Sequence, residues 1–237
     1  MNLAHLIQTV ALYALPVLFA ITLHEAAHGY AARHFGDKTA YMLGRITLNP
    51  LKHIDPMGTI LMPLLLYFAT SGAFLFGYAK PVPVRFGNLR NPKRDMIWVA
   101  AAGPVTNITL ATVSAFLLRG LVAYVNPAAS GSPLAMLVEP VVMMMAFSVY
   151  INLLLAVFNM IPVPPLDGGR VLVGLLPHKQ AAAWSRIEPY GMMIIIVLVF
   201  FTNMFSYIIS PFLNLGVHLL AGPQSGLVLG VTSLMMH

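Results

Sequence analysis

Residues 3–28 read LAHLIQTVALYALPVLFAITLHEAAH, an apolar run that ends in a cluster of polar residues. Residues 3–23 contain no Lys, Arg, Asp or Glu, and roughly 20 consecutive apolar residues are enough for a helix to cross the hydrocarbon core of a bilayer. No basic segment precedes the run, and it continues directly into His24, Glu25 and His28, unlike a cleavable signal peptide. We therefore predict a retained transmembrane helix with functional residues near its C-terminal end.

The rest of the chain has the same apolar character. Residues 96–118 and 140–166 are further runs without an acidic or basic side chain, and residues 189–237 leave room for about two more crossings. Of the 237 residues, 59% are hydrophobic and 8% are charged, which is too apolar for a soluble domain of this length. The sequence predicts an all-α polytopic membrane protein with about five transmembrane helices. Because no repeat or polar domain interrupts it, residues 1–237 are predicted to form one membrane-embedded unit.

The residue types present restrict the chemistry. The chain contains no cysteine, which excludes a disulfide framework and a thiolate nucleophile. Any bound metal must take nitrogen or oxygen ligands. The formal net charge of +6 is explained in a membrane protein by basic loops that set its orientation, so we expect membrane lipid rather than nucleic acid as a partner.

The polar cluster at the end of the first run is an H-E-x-x-H motif, His24-Glu25-Ala26-Ala27-His28. Positions i and i+4 project from one face of a helix, so two imidazoles can bind one zinc ion, and the adjacent Glu25 can act as a general base. The alternative is that His24 and His28 only mark the water interface at the end of the helix. Since two ligands do not complete a zinc site, a third must come from another segment.

Asp167 is the strongest candidate for the third ligand. It lies in the stretch NMIPVPPLDGGR, residues 159–170, where three prolines interrupt a long apolar helix. Irregular backbone at membrane depth is tolerated only where it is buried in protein or lines a watery cavity, and hydrolysis needs such a cavity. The alternative is a carboxylate in a surface loop between glycines.

The two motifs together resemble the paired signature of the site-2 proteases, the intramembrane zinc metalloproteases. The resemblance implies that His24, His28 and Asp167 bind one catalytic Zn²⁺, that Glu25 is the general base and that Asn159 contacts substrate. The stretch Ala102-Gly103-Pro104-Val105-Thr106-Asn107 is also similar to the Gly-Pro-x-x-Asn stretch of that family's middle core helix.

That resemblance covers residues from about 20 to 170. It implies a transmembrane protein as substrate, a catalytic core over about 1–175 and additional C-terminal helices over about 189–237. Because no PDZ or CBS domain is recognisable, the chain is expected to be a short form of the family.

Two segments are predicted to be extended. Residues Tyr41 to Pro50 (YMLGRITLNP) and Tyr78 to Arg85 (YAKPVPVR) combine β-branched and aromatic residues with Gly and Pro, which favours short membrane-associated strands. The first segment could offer an edge to which an unwound substrate adds by backbone pairing.

A shared zinc site also restricts topology. If Asp167 joins His24 and His28, the helices that carry them run in the same direction, so an odd number of crossings separates them. The run around 96–118 already supplies one crossing. Residues 57–78 are therefore predicted to be re-entrant or to lie along the membrane.

The distribution of basic residues gives an independent check. In this topology twelve basic side chains lie on one face of the membrane and Arg119 lies on the other. By the positive-inside rule the twelve mark the cytoplasm, so the active site is predicted to open towards the cytoplasmic side of a bacterial-type cell membrane. The twelve are Arg33, Lys38, Arg45, Lys52, Lys80, Arg85, Arg90, Lys93, Arg94, Arg170, Lys179 and Arg186.

Two alternatives to a protease use the same residues. A divalent-metal transporter could employ His24, His28 and Asp167 as a transit site, but it has no need for a base such as Glu25 beside the metal. A membrane adaptor would need no metal site at all.

Overall fold

The computed structural model of the protein describes residues 3–69, 79–124 and 133–231. Within those ranges every regular element is helical, which confirms the prediction of an all-α chain. Short 3₁₀ or π turns connect several of the helices. The helices are α1 Leu3–His34, α2 Thr39–Met42, α3 Met62–Ala69, α4 Pro92–Tyr124, α5 Pro133–Asn159, α6 Asp167–Leu175, α7 His178–Ser185, α8 Glu188–Phe201, α9 Ser210–Ala221 and α10 Ser225–Gly230.

Among the described residues, three helical stretches are long and apolar enough to cross a membrane: Pro92–Tyr124, Val138–Asn159 and Phe205–Gly230. A bent pair, His178–Ser185 with Glu188–Val199, turns by 67° and makes a fourth if it acts as one span. The membrane character of the chain is confirmed. The predicted total of about five crossings is higher than the three or four that these helices supply.

Helix α4 lies at the centre of the fold and packs against α1, α5 and α6. Small side chains line its contacts, since Ala100, Gly103, Ala111 and Ala115 are all buried. Small residues let helix backbones approach closely, which is how helices associate inside a membrane. Helix α4 therefore brings α1, which carries the H-E-x-x-H motif, next to α6, which begins at Asp167.

The end of α1 is fixed by Asp37, which is fully buried. Its carboxylate accepts hydrogen bonds from the hydroxyl and N–H of Thr39, from the N–H of Arg85 at 2.7 Å and from the amide of Asn88. Burial by itself raises the pKa of Asp37, but these hydrogen bonds outweigh it and hold the pKa below its usual value. Asp37 thereby ties the C-terminal end of α1 to the segment that begins at residue 79.

The strand predicted over Tyr41 to Pro50 is wrong, because this segment begins in helix α2. Gly44 has φ +62°, its N–H donates to the carbonyl of Tyr41, and the N–H of Arg45 donates to that of Ala40. This is a glycine-terminated helix end of the Schellman type. The helical turn uses the N–H groups of Gly44 and Arg45, and residues 45–49 that follow it form no strand.

Residues 79–85 also form no strand, and Tyr78 lies outside the described residues. Pro81 and Pro83 have no N–H, so the edge of the segment on which they lie cannot donate to a ladder of backbone hydrogen bonds. It is tied to the preceding loop instead, because the N–H of Lys80 donates to the carbonyl of His53 at 2.9 Å. Arg45 bridges the same two places by donating to the carbonyls of Lys52 and Lys80.

The segment predicted to be re-entrant, 57–78, is described up to Ala69. It begins with a six-residue π-helical turn, Pro56–Leu61, and continues into the eight residues of α3. The turn starts where Asp55 accepts the N–H groups of Met57 and Gly58, as a residue that caps a helix N-terminus does. Residues 70–78 of the segment lie outside the described ranges.

Candidate metal centre

His24 and His28 lie one turn apart on α1 and are both buried, with 7% and 8% of their surfaces exposed. Their Nε2 atoms are 3.0 Å apart, and the two rings meet edge to face. The i, i+4 spacing of the motif thus brings the two imidazole nitrogens to one point, as the sequence predicts.

Asp167 reaches the same point from the first residue of α6. Its Oδ2 atom lies 3.2 Å from Nε2 of His24 and 3.4 Å from Nε2 of His28. The loop before it folds back onto two glycines: a Cβ on Gly168 would lie 2.2 Å from the carbonyl oxygen of Met160, and one on Gly169 would lie 2.2 Å from the nitrogen of Pro164. Glycine is required at both positions because the backbone approaches so closely.

The hydrogen bonds of the two imidazoles determine which ring nitrogens carry protons. Nδ1 of His28 lies 2.7 Å from the carbonyl oxygen of Val99, which can only accept, so Nδ1 carries the proton. Nδ1 of His24 lies 2.5 Å from Oδ1 of Asn107 and donates in the same way. Because a neutral imidazole carries one proton and that proton is on Nδ1, Nε2 keeps its lone pair in both rings. Both lone pairs lie beside Asp167.

This donor set fits a zinc ion. The three metal-binding atoms are separated by 3.0, 3.2 and 3.4 Å. One separation lies within the roughly 3.3–3.6 Å between ligand atoms on a tetrahedral zinc with bonds of about 2.0–2.2 Å, and the other two are slightly shorter. Oδ2 of Asp167 is buried without a hydrogen-bond partner, which is costly unless a cation interacts with it. The hydrogen bonds at Nδ1 are of the kind that orients zinc-binding histidines.

Gly103 of α4 leaves the space for this arrangement. A Cβ at this position would lie 2.5 Å from Nε2 of His28 and 2.6 Å from Nε2 of His24. Val99, Gly103 and Asn107 recur every four residues, so they form one face of α4 opposite the two histidines.

We expect Gly103→Ala to weaken zinc binding about tenfold or more, because the added methyl group displaces both imidazoles. Competition with a chromogenic chelator measures the affinity. Gly120→Ala is the matched control, since a Cβ at Gly120 on the same helix meets nothing within 4 Å. Unchanged affinity in the Gly103 variant, or an equal loss in both variants, would contradict this role.

Glu25 lies between the two histidines in the sequence and is half-buried. Its Oε2 atom accepts the N–H of Val82 at 2.7 Å. The irregular segment 79–85 therefore passes directly beside Glu25. The sequence analysis missed this contact, because no local pattern relates Val82 to a residue 57 positions earlier.

Asn159 is the last residue of α5 and is half-buried. Its amide donates to the carbonyl of Leu155 within the same helix at 3.0 Å. Asn159 is not a member of the metal-binding group, which consists of His24, His28 and Asp167 among the described residues. Its predicted contact with substrate stays a prediction.

Sequence comparison relates the chain to known proteins. The model of peptidase family M50 matches residues 12–202. The proposed zinc metalloprotease YwhC of Bacillus subtilis (strain 168) is 38% identical over 200 residues, which cover 84% of either chain. No solved structure gives a significant match.

Two mycobacterial proteins, both named as proposed zinc metalloproteases Rip2, are more distant. The protein from Mycolicibacterium smegmatis is 29% identical over 83% of this chain and 66% of its own length. The one from Mycobacterium tuberculosis H37Rv is 27% identical over 76% of this chain and 63% of its own length. Because the family model covers most of the sequence, the chain belongs to peptidase family M50, the site-2 proteases, and is an intramembrane zinc metalloprotease.

Proposed function

We propose that this protein hydrolyses peptide bonds within or near the transmembrane segments of other membrane proteins, with His24, His28 and Asp167 as zinc ligands and Glu25 as the general base. The observation that supports these roles most directly is the convergence of three buried metal-binding atoms from two helices. The comparisons support a zinc metallopeptidase and give no support to a metal transporter.

The chemistry that zinc supplies when bound is Lewis acidity, which polarises a peptide carbonyl and acidifies water. Glu25 takes a proton from the attacking water and passes it to the nitrogen of the leaving amine. The N–H of Val82 donates to Oε2, which holds the carboxylate in position and leaves Oε1 available for proton transfer. No acyl-enzyme forms, since water is the nucleophile.

The substrate must reach the site in an unwound form. Peptide carbonyls inside a helix are hydrogen-bonded along the helix, so a transmembrane substrate has to open locally before its carbonyl can be attacked. We propose that Asn159, at the point where α5 ends and the proline-rich loop leads to Asp167, contacts this opened backbone.

The experiment that tests the function uses purified protein in proteoliposomes with a single-span reporter. Removal of metal with a chelator should abolish cleavage, and an equimolar amount of zinc should restore it. Asn159→Ala should keep its zinc and lose cleavage. Cleavage that survives complete metal removal would exclude the zinc mechanism, whereas an unaffected Asn159 variant would remove only the substrate contact.

For the whole chain we propose one domain over 1–237, with α1 as a further crossing besides the helices identified above. This gives about five crossings. The segment 57–78 is re-entrant in this arrangement. The hydrogen bond between the N–H of Lys80 and the carbonyl of His53 supports it, because a stretch whose two ends meet cannot cross the bilayer an odd number of times.

We further propose that the active site opens towards the cytoplasm. The chain contains no native cysteine, so single cysteines report topology directly. Lys52→Cys and Lys80→Cys should both react with a membrane-impermeant maleimide only in inverted vesicles, and Tyr124→Cys only in intact cells. Labelling of Lys52→Cys and Lys80→Cys from opposite faces would disprove the re-entrant segment.

A further inference from the structure

A chain of buried hydrogen bonds leads away from His24 through α4 and into α5. Oδ1 of Asn107 lies 2.5 Å from Nδ1 of His24, and Nδ2 of Asn107 donates to Oδ1 of Asn152 at 2.8 Å. Nδ2 of Asn152 in turn donates to the backbone carbonyl of Ser148 at 2.9 Å. Asn107 and Asn152 are almost completely buried, with 0% and 1% of their surfaces exposed.

The end of this chain determines the direction of every link. The carbonyl of Ser148 can only accept, so the nitrogen of the Asn152 side chain must face it and the oxygen of Asn152 must face Asn107. Asn107 must then present its nitrogen to Asn152 and its oxygen to His24. A second acceptor, the carbonyl of Ala20 at 3.3 Å from Nδ2 of Asn107, favours the same orientation.

The orientation of Asn107 matters because the reverse one would disable His24. If the amide nitrogen of Asn107 faced Nδ1 of His24, that nitrogen would have to accept, and the proton of a neutral ring would move to Nε2. A protonated Nε2 has no lone pair for a metal. The network thus favours the tautomer of His24 that can bind a metal over the tautomer that cannot.

We propose that Asn152 is a positioning residue that fixes the tautomer of His24 through Asn107 and so prepares the ring to bind zinc. This role rests on the proposed function of His24 as a zinc ligand. The spacing of Asn152 and Asn159 in the sequence indicates only a shared helix face, and its simplest interpretation is helix packing. The contact of Asn152 with Asn107 assigns it a second task.

The test compares Asn152→Leu with wild type and with Ser114→Ala. Leucine has nearly the same shape but offers no acceptor to Asn107. Ser114 is buried in the same α4–α5 interface, and its hydroxyl bonds to that of Ser148 at 2.8 Å. The Ser148 hydroxyl is also a weaker partner of Asn152, at 3.3 Å, but removal of the Ser114 hydroxyl leaves the Ser148 carbonyl, which orients Asn152, in place. Should the leucine variant not fold, Asn152→Ala carries the same expectation.

Two quantities are measured on detergent-purified protein. Zinc affinity should fall about 10–100-fold in Asn152→Leu and stay unchanged in Ser114→Ala. Side-chain ¹⁵N NMR of the metal-free protein, with the His24 signal assigned from His24→Gln, should show the Nδ1–H form in wild type and a mixture of both forms in Asn152→Leu.

Unchanged zinc affinity in Asn152→Leu would overturn the proposal, and so would a lower affinity with the tautomer of His24 unchanged, which would leave Asn152 a packing role alone. Failure of the underlying function has a different signature. In that case His24→Gln itself would bind zinc as tightly as wild type.

Discussion

Glu25→Gln is expected to lower peptide cleavage sharply and to leave the zinc site filled, because it removes the proposed general base but keeps its shape. The glutamine side chain can still accept the N–H of Val82, which bonds Oε2 in the native protein at 2.7 Å, so the position of the side chain is preserved. The amide cannot take up a proton. We expect the cleavage rate to fall about 10²–10⁴-fold, the usual contribution of a general base.

The measurement combines reporter cleavage in proteoliposomes with the zinc content of the same preparation. Glu139→Gln is the matched control, because Glu139 is an exposed residue of α5 and its neutralisation changes the net charge by the same amount. A Glu25 variant that still cleaves at the wild-type rate would contradict the assignment. One that loses zinc would show that Glu25 supports the site rather than the proton transfer.

Asp167→Ala should lose zinc under conditions in which the wild-type protein holds about one ion per chain. Two imidazoles remain, and two ligands do not form a stable tetrahedral site. The loss should exceed the roughly 10–100-fold effect of removing a residue that only orients a ligand. Cleavage should disappear together with the metal.

Asp95→Asn provides the control for burial. Asp95 has 5% of its surface exposed, nearly the same as the 6% of Asp167, but its carboxylate accepts the N–H of Asn91 at the start of α4 and belongs to no metal-binding group among the described residues. We expect this variant to keep its zinc. Full zinc retention in Asp167→Ala would break the three-ligand arrangement and, with it, the argument that places α1 and α5 in the same direction.

The sequence was most informative where a rule is local. The H-E-x-x-H motif needs only a helix, and the structure supplies one. The prolines before Asp167 broke the long apolar run as predicted, since α5 ends at Asn159 and α6 begins at Asp167. Membrane character followed from composition alone.

The extended segments failed because the same residues fit two local structures. Gly44 can interrupt a strand or end a helix, and only the contacts around α2 decide between these possibilities. Asn107, Val99 and Val82 could not be predicted for a different reason, which is their distance along the sequence from the residues that they contact. Their contacts with the site join positions 57 to 83 residues apart, and spacing within one segment carries no information about such distant pairs. Asn107 was singled out by family resemblance, without its partner.

The stretch between His53 and Lys80 has its two ends joined, so its length does not affect the position of the residues beside Glu25. A loop with a fixed stem can grow or shrink at modest entropic cost, about 0.6 kcal/mol for each doubling of its length, while its stem stays where Arg45 holds it. Val82 follows the stem by two residues, so its hydrogen bond to Glu25 is insulated from such changes. The length of this insertion can therefore change without moving the contact between Val82 and Glu25.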